Sequence, residues 1–255
     1  MRAVWALLAA LVAAQILYPL TGGGPRAALV VATVLLGFGA SLCHAAVTRG
    51  VRVALALCAV AVAGLGVEVL GVHTGFPFGA YAYADTLGPR AAGVPMVIGL
   101  AWAWMAWPAW LAAARVLPSA RGPARVAVAG VALATWDLFL DPQMIAAGHW
   151  RWADPHPALP GVPGVPLGNY AGWLLVAALV ATLLWVAVPP PDRAPCAADA
   201  PMHALYLWTY ASSVLAHAAF LSLPASAAWG ALGMGLVAVP LAVRLWRAPV
   251  PAEAT

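Results

Sequence analysis

The chain has 255 residues, of which 64% are hydrophobic and only 8% are charged. About a quarter of the residues of a soluble domain are charged, so the composition excludes a soluble protein and indicates an integral membrane protein. The formal net charge of +4 arises from twelve arginines and eight acids, without any lysine. Because the arginines stand at the ends of apolar segments and not on one basic face, a nucleic-acid partner is not expected.

Eight apolar segments are long enough to cross a bilayer, which takes about 20 residues. They fall at 4–20, 27–48, 52–71, 94–117, 124–140, 168–188, 202–223 and 225–246. We therefore predict an all-α, polytopic membrane bundle of about eight helices, forming a single domain over residues 1–255. The count becomes seven if the first segment, which follows Met1-Arg2, is a signal peptide that is cleaved.

The arginines orient this bundle, because basic residues accumulate on the cytoplasmic side of membrane proteins. With the amino terminus inside, nine fall on the inner side: Arg2, Arg49, Arg52, Arg115, Arg121, Arg125, Arg193, Arg244 and Arg247. The other three fall on the outer side: Arg26, Arg90 and Arg151. The sequence thus predicts a multi-pass protein of the cell membrane with both termini cytoplasmic. Loops 72–93 and 141–167 are predicted on the outer side, and the proline-rich residues 189–201 are predicted to form an inner linker.

The first of two unusual stretches begins with Glu68, near the end of the third apolar segment. A carboxyl group inside a membrane segment is costly and marks a functional site by default. The loop that follows is rich in aromatic residues: Phe76, Phe78, Tyr81 and Tyr83. Such a loop is too apolar for an ordinary solvated connection.

The second stretch carries Asp137 and Asp141 at the end of the fifth segment. Its aromatic residues are Trp136, Trp150 and Trp152. Because Pro142 disfavours helical geometry at the residue before it, the helix is predicted to stop between the two aspartates. Both stretches are predicted to line one pocket near the outer membrane surface.

The three acids suggest proton-transfer chemistry. Glu68 and Asp137 are predicted to lie in the last turn of their helices, where the helix dipole disfavours a carboxylate. Burial and nearby like charge act in the same direction, so we expect protonated acids at neutral pH. A protonated acid among aromatic rings suits proton addition to an alkene, because ring faces stabilise the resulting cation. The alternative is that each acid pairs with Arg90, Arg151 or a loop amide and only fixes a loop.

Other chemistries lack the residues that they need. The chain has no histidine box, and His73, His149 and His156 lie in loops without metal-ligand spacing, so no metal site is predicted. It has no glycine-rich dinucleotide fingerprint and no P-loop, so neither a nicotinamide, a flavin nor a nucleotide is expected. Four further tryptophans, interpreted as packing residues, lie in the fourth segment: Trp102, Trp104, Trp107 and Trp110.

Three motifs carry a resemblance to a known family. They are Glu68-x-x-Gly-x-x-Thr-Gly-x-Pro-Phe-Gly-x-Tyr81-x-Tyr83 with Gly93-Val-Pro95, Asp137-x-x-x-Asp141-Pro142 with Gly148-x-Trp150-x-Trp152, and Gly164-Val-Pro166-x-x-Asn169-Tyr-x-Gly172-Trp173. On these motifs, residues 60–175 resemble the integral-membrane carotenoid biosynthesis proteins of the CruF type, carotenoid hydratases that include the bisanhydrobacterioruberin hydratases. We take this range as the predicted functional core.

The resemblance implies addition of water across the terminal double bond of an acyclic carotenoid end, giving a tertiary alcohol without any cofactor. Membrane lipid and the carotenoid are then the expected partners, with other membrane enzymes of carotenoid biosynthesis as further candidates. Glu68 is expected to donate the proton, and Asp137 with Asp141 to activate water. The aromatic residues named above are expected to contact the substrate together with Asn169 and Trp173, although Asn169 is equally suited to capping the sixth helix.

Two other functions stay open at the level of sequence. A cofactor-free end-group cyclase would begin with the same protonation but quench the cation on an internal alkene. A non-catalytic carrier or scaffold for carotenoids would use the acids only as structural groups.

Overall fold

A computed structural model describes residues 1–119 and 122–247, and these ranges form nine α-helices. The helices are α1 (Arg2–Leu17), α2 (Gly23–Arg49), α3 (Val51–Thr74), α4 (Met96–Val116), α5 (Gly122–Ala134), α6 (Asp137–Ala146), α7 (Leu167–Ala187), α8 (Ala200–Ala219) and α9 (Pro224–Trp246). Among the described residues, seven spans are long and apolar enough to cross a membrane, and α5 and α6 together form one of them. Within the described ranges α8 is not among these spans, because its polar residues lower its hydropathy. The predicted all-α polytopic membrane bundle is confirmed.

Three short antiparallel strand pairs lie in the connections. They are β1 (Tyr81–Tyr83) with β4 (Trp150–Trp152), β2 (Arg90–Ala91) with β3 (Val94–Pro95), and β5 (Ala158–Leu159) with β6 (Val162–Pro166). The β1–β4 pair joins the connection after α3 to the connection after α6, so both lie at one end of the bundle, here called the loop end. The opposite end, here called the linker end, holds residues 188–199. Arg121, one of the arginines used for orientation, lies outside the described residues, and the direction of the bundle in the membrane stays a prediction.

Helix α4 occupies the middle of the bundle. Of its most apolar stretch 83% is buried, against 50% or less for the other spans. Its tryptophans pack against helices that carry glycine at the contact: a Cβ on Gly64 would lie 2.8 Å from Cβ of Trp102, and one on Gly37 would lie 2.7 Å from the ring of Trp104. Small residues of this kind let membrane helices approach closely. Trp102 therefore packs closely against α3, and Trp104 packs closely against α2.

Helix α3 is longer than predicted and continues to Thr74 instead of ending at 71. Gly75 ends it, adopting the left-handed conformation with φ of 76° and donating its N–H to the carbonyl of Gly71 at 2.8 Å. Glycine at this position is the usual helix terminator. The prediction that Glu68 lies in the last turn is thus wrong, since the helix continues for six residues beyond it.

The fifth predicted segment is two helices, and the break lies before the aspartates, not between them. Asp137 begins α6, and Asp141 and Pro142 both lie inside it, so the predictions of a stop between the aspartates and of Asp137 in a last turn are wrong. Pro142 has no N–H to give to the carbonyl of Leu138, four residues earlier. The hydroxyl of Ser226 in α9 donates to that carbonyl instead, at 2.7 Å. This replacement bond explains why the helix tolerates proline.

Candidate active site

The β1–β4 pair aligns the aromatic residues of the two loops. Tyr81 lies opposite Trp152, and Tyr83 lies opposite Trp150. Because side chains alternate along a strand, these four rings share one face of the pair. The face points into the bundle, where the rings of Tyr81 and Trp152 stack at 5.5 Å and those of Tyr83 and Trp150 meet edge to face at 5.5 Å.

His149, beside the strand pair, ties the two loops together. Its backbone carbonyl accepts the N–H of Ala84 at 2.8 Å, and its Nδ1 lies 2.7 Å from the hydroxyl of Thr86. Burial lowers the pKa of His149, so the ring is neutral at neutral pH. His149 is therefore an uncharged link between the two loops, whose β1–β4 strand pair is here called the lid.

Glu68 is buried beneath this lid and accepts hydrogen bonds from three side chains. Tyr81 and Tyr83 donate to its Oε2 at 2.5 and 2.8 Å, and the indole N–H of Trp102 donates to its Oε1 at 3.0 Å. Burial, followed by the adjacent Glu68 carboxyl, raises the pKa of Tyr81 and Tyr83, so both phenols stay protonated and act as donors. Gly71 makes room for this arrangement, because a Cβ there would lie 2.7 Å from the hydroxyl of Tyr81.

Asp137 and Asp141 form a second acidic group one helical turn apart on α6. The amide nitrogen of Asn169, from the first turn of α7, donates to Asp137 Oδ2 at 2.7 Å and to Asp141 Oδ2 at 2.5 Å. Trp150 of the lid donates its indole N–H to Asp141 Oδ1 at 2.9 Å. Both carboxyl groups are buried, and Oδ1 of Asp137 has no hydrogen-bond partner among the described residues. A single amide thus bridges two carboxyl groups.

One cavity of about 120 Å³ connects the two acidic groups. One water needs roughly 10–15 Å³ of such space, so the cavity can hold several waters or the tip of a hydrocarbon chain. The indoles of Trp102 and Trp173 stack at 4.0 Å in its wall. The predicted residues that line it are Glu68, Phe78, Tyr81, Tyr83, Trp136, Asp141, Trp150, Trp152, Asn169 and Trp173.

Two predicted site residues lie elsewhere. Phe76 is 61% exposed on the outside of the turn that follows α3, whereas Phe78 of the same turn is buried against Trp102. Asp137 does not reach the cavity wall and contacts it through Asn169. Only one of the two loop phenylalanines therefore contributes to the cavity.

Sequence reasoning missed several residues of the wall. Trp102 was interpreted as packing, yet its N–H binds Glu68; nothing in the local pattern separates it from the other three tryptophans of α4. Gln143 follows the Asp141-Pro142 pair directly, which is a signal that could have identified it. The other polar wall residues outside the predicted set are Gln15, Tyr18, Thr33, Thr209 and Ser213.

The cationic side chains of the loops do not pair with the site acids. Arg90 donates to the carbonyl of Tyr83 at 3.1 Å and pairs with the exposed Asp85 at 2.9 Å, while Arg151 is exposed on the outer face of β4. In the described part of the chain, no salt bridge involves Glu68 or the α6 aspartates. The same ranges hold no group of three or more His, Cys, Asp or Glu side chains arranged for a metal ion. The arrangement offers buried acids, neutral donors and aromatic faces.

Comparison with known proteins places this chain in a family. No solved structure matches it. A bisanhydrobacterioruberin hydratase from Haloarcula japonica is 36% identical over 138 residues, which cover 52% of this chain and 45% of that relative, so the match spans less than half of the relative's length. The model of a family described as carotenoid biosynthesis protein matches residues 27–240. Because this match covers most of the chain, the protein belongs to the carotenoid biosynthesis protein family.

Proposed function

We propose that the protein is a carotenoid hydratase, a hydro-lyase of the 1',2'-hydratase type. It adds water to the terminal double bond of an acyclic carotenoid end and gives a tertiary alcohol. The name of the Haloarcula relative and the family match support a hydratase acting on carotenoids. The observation that carries the proposal is the aromatic cavity that both Glu68 and Asp141 line, each held by neutral donors and without a paired cation.

The absence of a cation suits the proposed reaction. Protonating the alkene produces a tertiary carbocation, and only interactions stronger in the transition state than in the ground state accelerate a step. Carboxyl groups held by the neutral donors Trp150, Asn169 and Tyr83 keep their charge available for that cation. The stacked indoles of Trp102 and Trp173 supply further stabilisation through their ring faces.

The hydrogen bonds favour a division of roles opposite to the one expected from sequence. All three side chains that contact the Glu68 carboxyl group donate hydrogen bonds to it, an arrangement that suits a proton acceptor. Asp137 and Asp141 share one amide, and two carboxyl groups so close together in a buried site without a cation hold one proton between them. Asp141 reaches the cavity. We therefore assign Asp141, supported by Asp137, as the proton donor and Glu68 as the group that receives a proton from water.

The proton balance of the cycle closes without a cofactor. The O–H bond of Asp141 breaks as a C–H bond forms on the alkene, and the tertiary carbon becomes the cation. A water oxygen bonds to that carbon while one of its protons passes to Glu68. Transfer of this proton back to the Asp137–Asp141 pair restores the starting state. Hydration is redox-neutral, so it needs no electron carrier.

The orientation in the membrane, the source of the substrate and the functional core are further parts of this proposal. The cavity lies at the loop end of the bundle, and the positive-inside rule puts that end on the outer face with both termini in the cytoplasm. The substrate is taken from the surrounding lipid, and other membrane enzymes of carotenoid biosynthesis would supply it. Residues 60–175 are the proposed functional core, and residues 189–201 the linker on the cytoplasmic side.

The experiment is expression in cells that accumulate an acyclic carotene, followed by chromatography with mass detection. A hydratase adds the mass of one water for each modified end, an end-group cyclase changes retention without a mass change, and a carrier leaves the pigment unaltered. Cells expressing the Asp141→Asn variant provide the matched control. An unchanged pigment profile with several acyclic substrates would overturn the proposal.

A further inference from the structure

The cavity has a second polar wall that contains no acid. It is formed by helices other than the acid-bearing α3 and α6, and its side chains are uncharged: Gln15 of α1, Thr33 of α2, Trp104 of α4, and Thr209 and Ser213 of α8. Uncharged hydrogen-bonding groups are unexpected on the wall of a cavity that receives a hydrocarbon.

Two groups of this wall are buried without a hydrogen-bond partner among the described residues. They are Nε1 of Trp104 and Oγ1 of Thr209, in side chains that are 2% and 1% exposed. Buried polar groups in native proteins are almost always paired, and each exception calls for an explanation. Neighbouring groups follow that rule, because Ser41 donates to the carbonyl of Trp104 at 2.9 Å and Tyr206 to the carbonyl of Ala132 at 3.1 Å. Trp104 and Thr209 therefore each lack a partner that a polar ligand in the cavity could supply.

The hydrogen-bonding properties of Trp104 and Thr209 indicate which kind of molecule binds between them and the substrate. An indole N–H can only donate, so the occupant must offer an oxygen or another acceptor. A threonine hydroxyl both donates and accepts, and neither group carries charge. A neutral molecule with a hydroxyl group satisfies both, and water is the smallest such molecule.

We propose that Trp104 and Thr209 bind the water molecule that is added to the substrate, an inference that rests on the proposed function. The water accepts a hydrogen bond from Trp104 Nε1 and donates one to Thr209 Oγ1. One lone pair is then free to bond to the tertiary carbon of the cation, and one proton is free to pass to Glu68. Water thus reaches the cation already oriented, with its four hydrogen-bonding positions assigned.

The proposal is tested by comparing capture of the cation with its return to alkene. A cation that is not captured loses a proton, so in D₂O it leaves deuterium in the recovered carotene. Thr209→Val preserves side-chain shape but removes the hydroxyl. We expect the ratio of deuterium in recovered alkene to alcohol formed to rise about fivefold, the effect of one ordinary hydrogen bond. Trp104→Phe, which removes the N–H, should raise the ratio in the same direction.

Two control variants test whether loss of the Thr209 hydroxyl is what changes the ratio. Thr209→Ser keeps the hydroxyl and should hold the ratio at the wild-type value. Thr182→Val makes the same exchange on the exposed face of α7, where the hydroxyl bonds only to the carbonyl of Ala178 at 2.8 Å, and should change nothing.

The possible outcomes separate this proposal from the proposed function. Wild-type protein that gives neither alcohol nor deuterated alkene refutes the hydratase and the water site with it. Wild-type activity with an unchanged ratio in both Thr209→Val and Trp104→Phe refutes the water site alone. A changed ratio confined to substrates that already carry a hydroxyl would assign the wall to that hydroxyl and overturn its assignment to water. If Thr209→Val does not accumulate in membranes, Trp104→Phe decides the question.

Discussion

The two ends of the bundle each bury carboxyl groups, but they satisfy them in different ways. At the linker end, Asp199 is fully buried and binds the guanidinium of Arg49 through both oxygens, at 2.8 and 3.0 Å. Its Oδ2 also accepts the backbone N–H of Cys196 at 2.9 Å. At the loop end, the buried side chains of Glu68 and Asp141 have only phenol, indole and amide partners.

Under the proposed function, this difference distinguishes a structural acid from a reactive one. A buried carboxylate that only joins two segments is best neutralised by a cation, as Arg49 does for the linker that Asp199 ends. Leaving that charge without a cation costs stability, and proteins accept such cost at functional sites. The contrast argues against the reading in which the loop-end acids merely fix loops.

The largest expected effect is on activity at the loop end. Asp141→Asn and Glu68→Gln should each reduce alcohol formation about a thousandfold, within the usual range for loss of a general acid or base. Neither change leaves a cation unpaired, but each new NH₂ group faces a side chain that also donates, so the free energy of unfolding should fall by about 1–3 kcal/mol. Product per milligram of extracted protein and thermal unfolding in detergent measure the two quantities. Near-normal activity in either variant would contradict the assigned roles.

The next effect is on stability at the linker end. Asp199→Ala leaves Arg49 buried without its partner and should lower the free energy of unfolding by about 3–5 kcal/mol. Activity per folded molecule should stay normal, because Asp199 lies at the opposite end from the cavity. The double variant Asp199→Leu with Arg49→Met removes both charges and should recover most of the lost stability. Failure of the double variant to recover would show that the ion pair is not the cause.

The smallest effect concerns the neutral donors. Tyr83→Phe removes one of three hydrogen bonds to Glu68 and should slow alcohol formation about tenfold while costing about 1 kcal/mol of stability. Tyr210→Phe is the matched control, since that hydroxyl donates to the carbonyl of Ala231 at 3.2 Å and does not line the cavity. The same loss of activity in both variants would mean that Tyr83 acts only through packing.

Sequence predicted the fold where the physical signal is local. Length and hydropathy located the spans, and the family resemblance over residues 60–175 led to the correct family. Local signals failed where distant residues decide the structure. The helix passes through Pro142 because of Ser226, which is 88 residues away from the Leu138 carbonyl that it binds. No pattern within α6 reveals that partner.

In the candidate site, too, local signals were predictive and contacts between distant residues were not. The acids and most aromatic residues were predicted, because carboxyl groups and clustered rings are conspicuous in an apolar chain. Trp102 was not predicted as a ligand of Glu68, because four tryptophans of α4 look alike until α3 is packed beside them. Thr209 was equally hidden, since a lone threonine in a membrane helix ordinarily bonds to its own backbone, as Thr182 does.

The single pair of acids in the cavity also has a consequence for a long symmetrical pigment under the proposed function. Glu68 and Asp141 are the two acids that line the cavity, and the far tip of an extended chain cannot reach them while the near tip reacts. Such a pigment would have to leave and present its other tip before a second hydration. Singly modified molecules should therefore accumulate first.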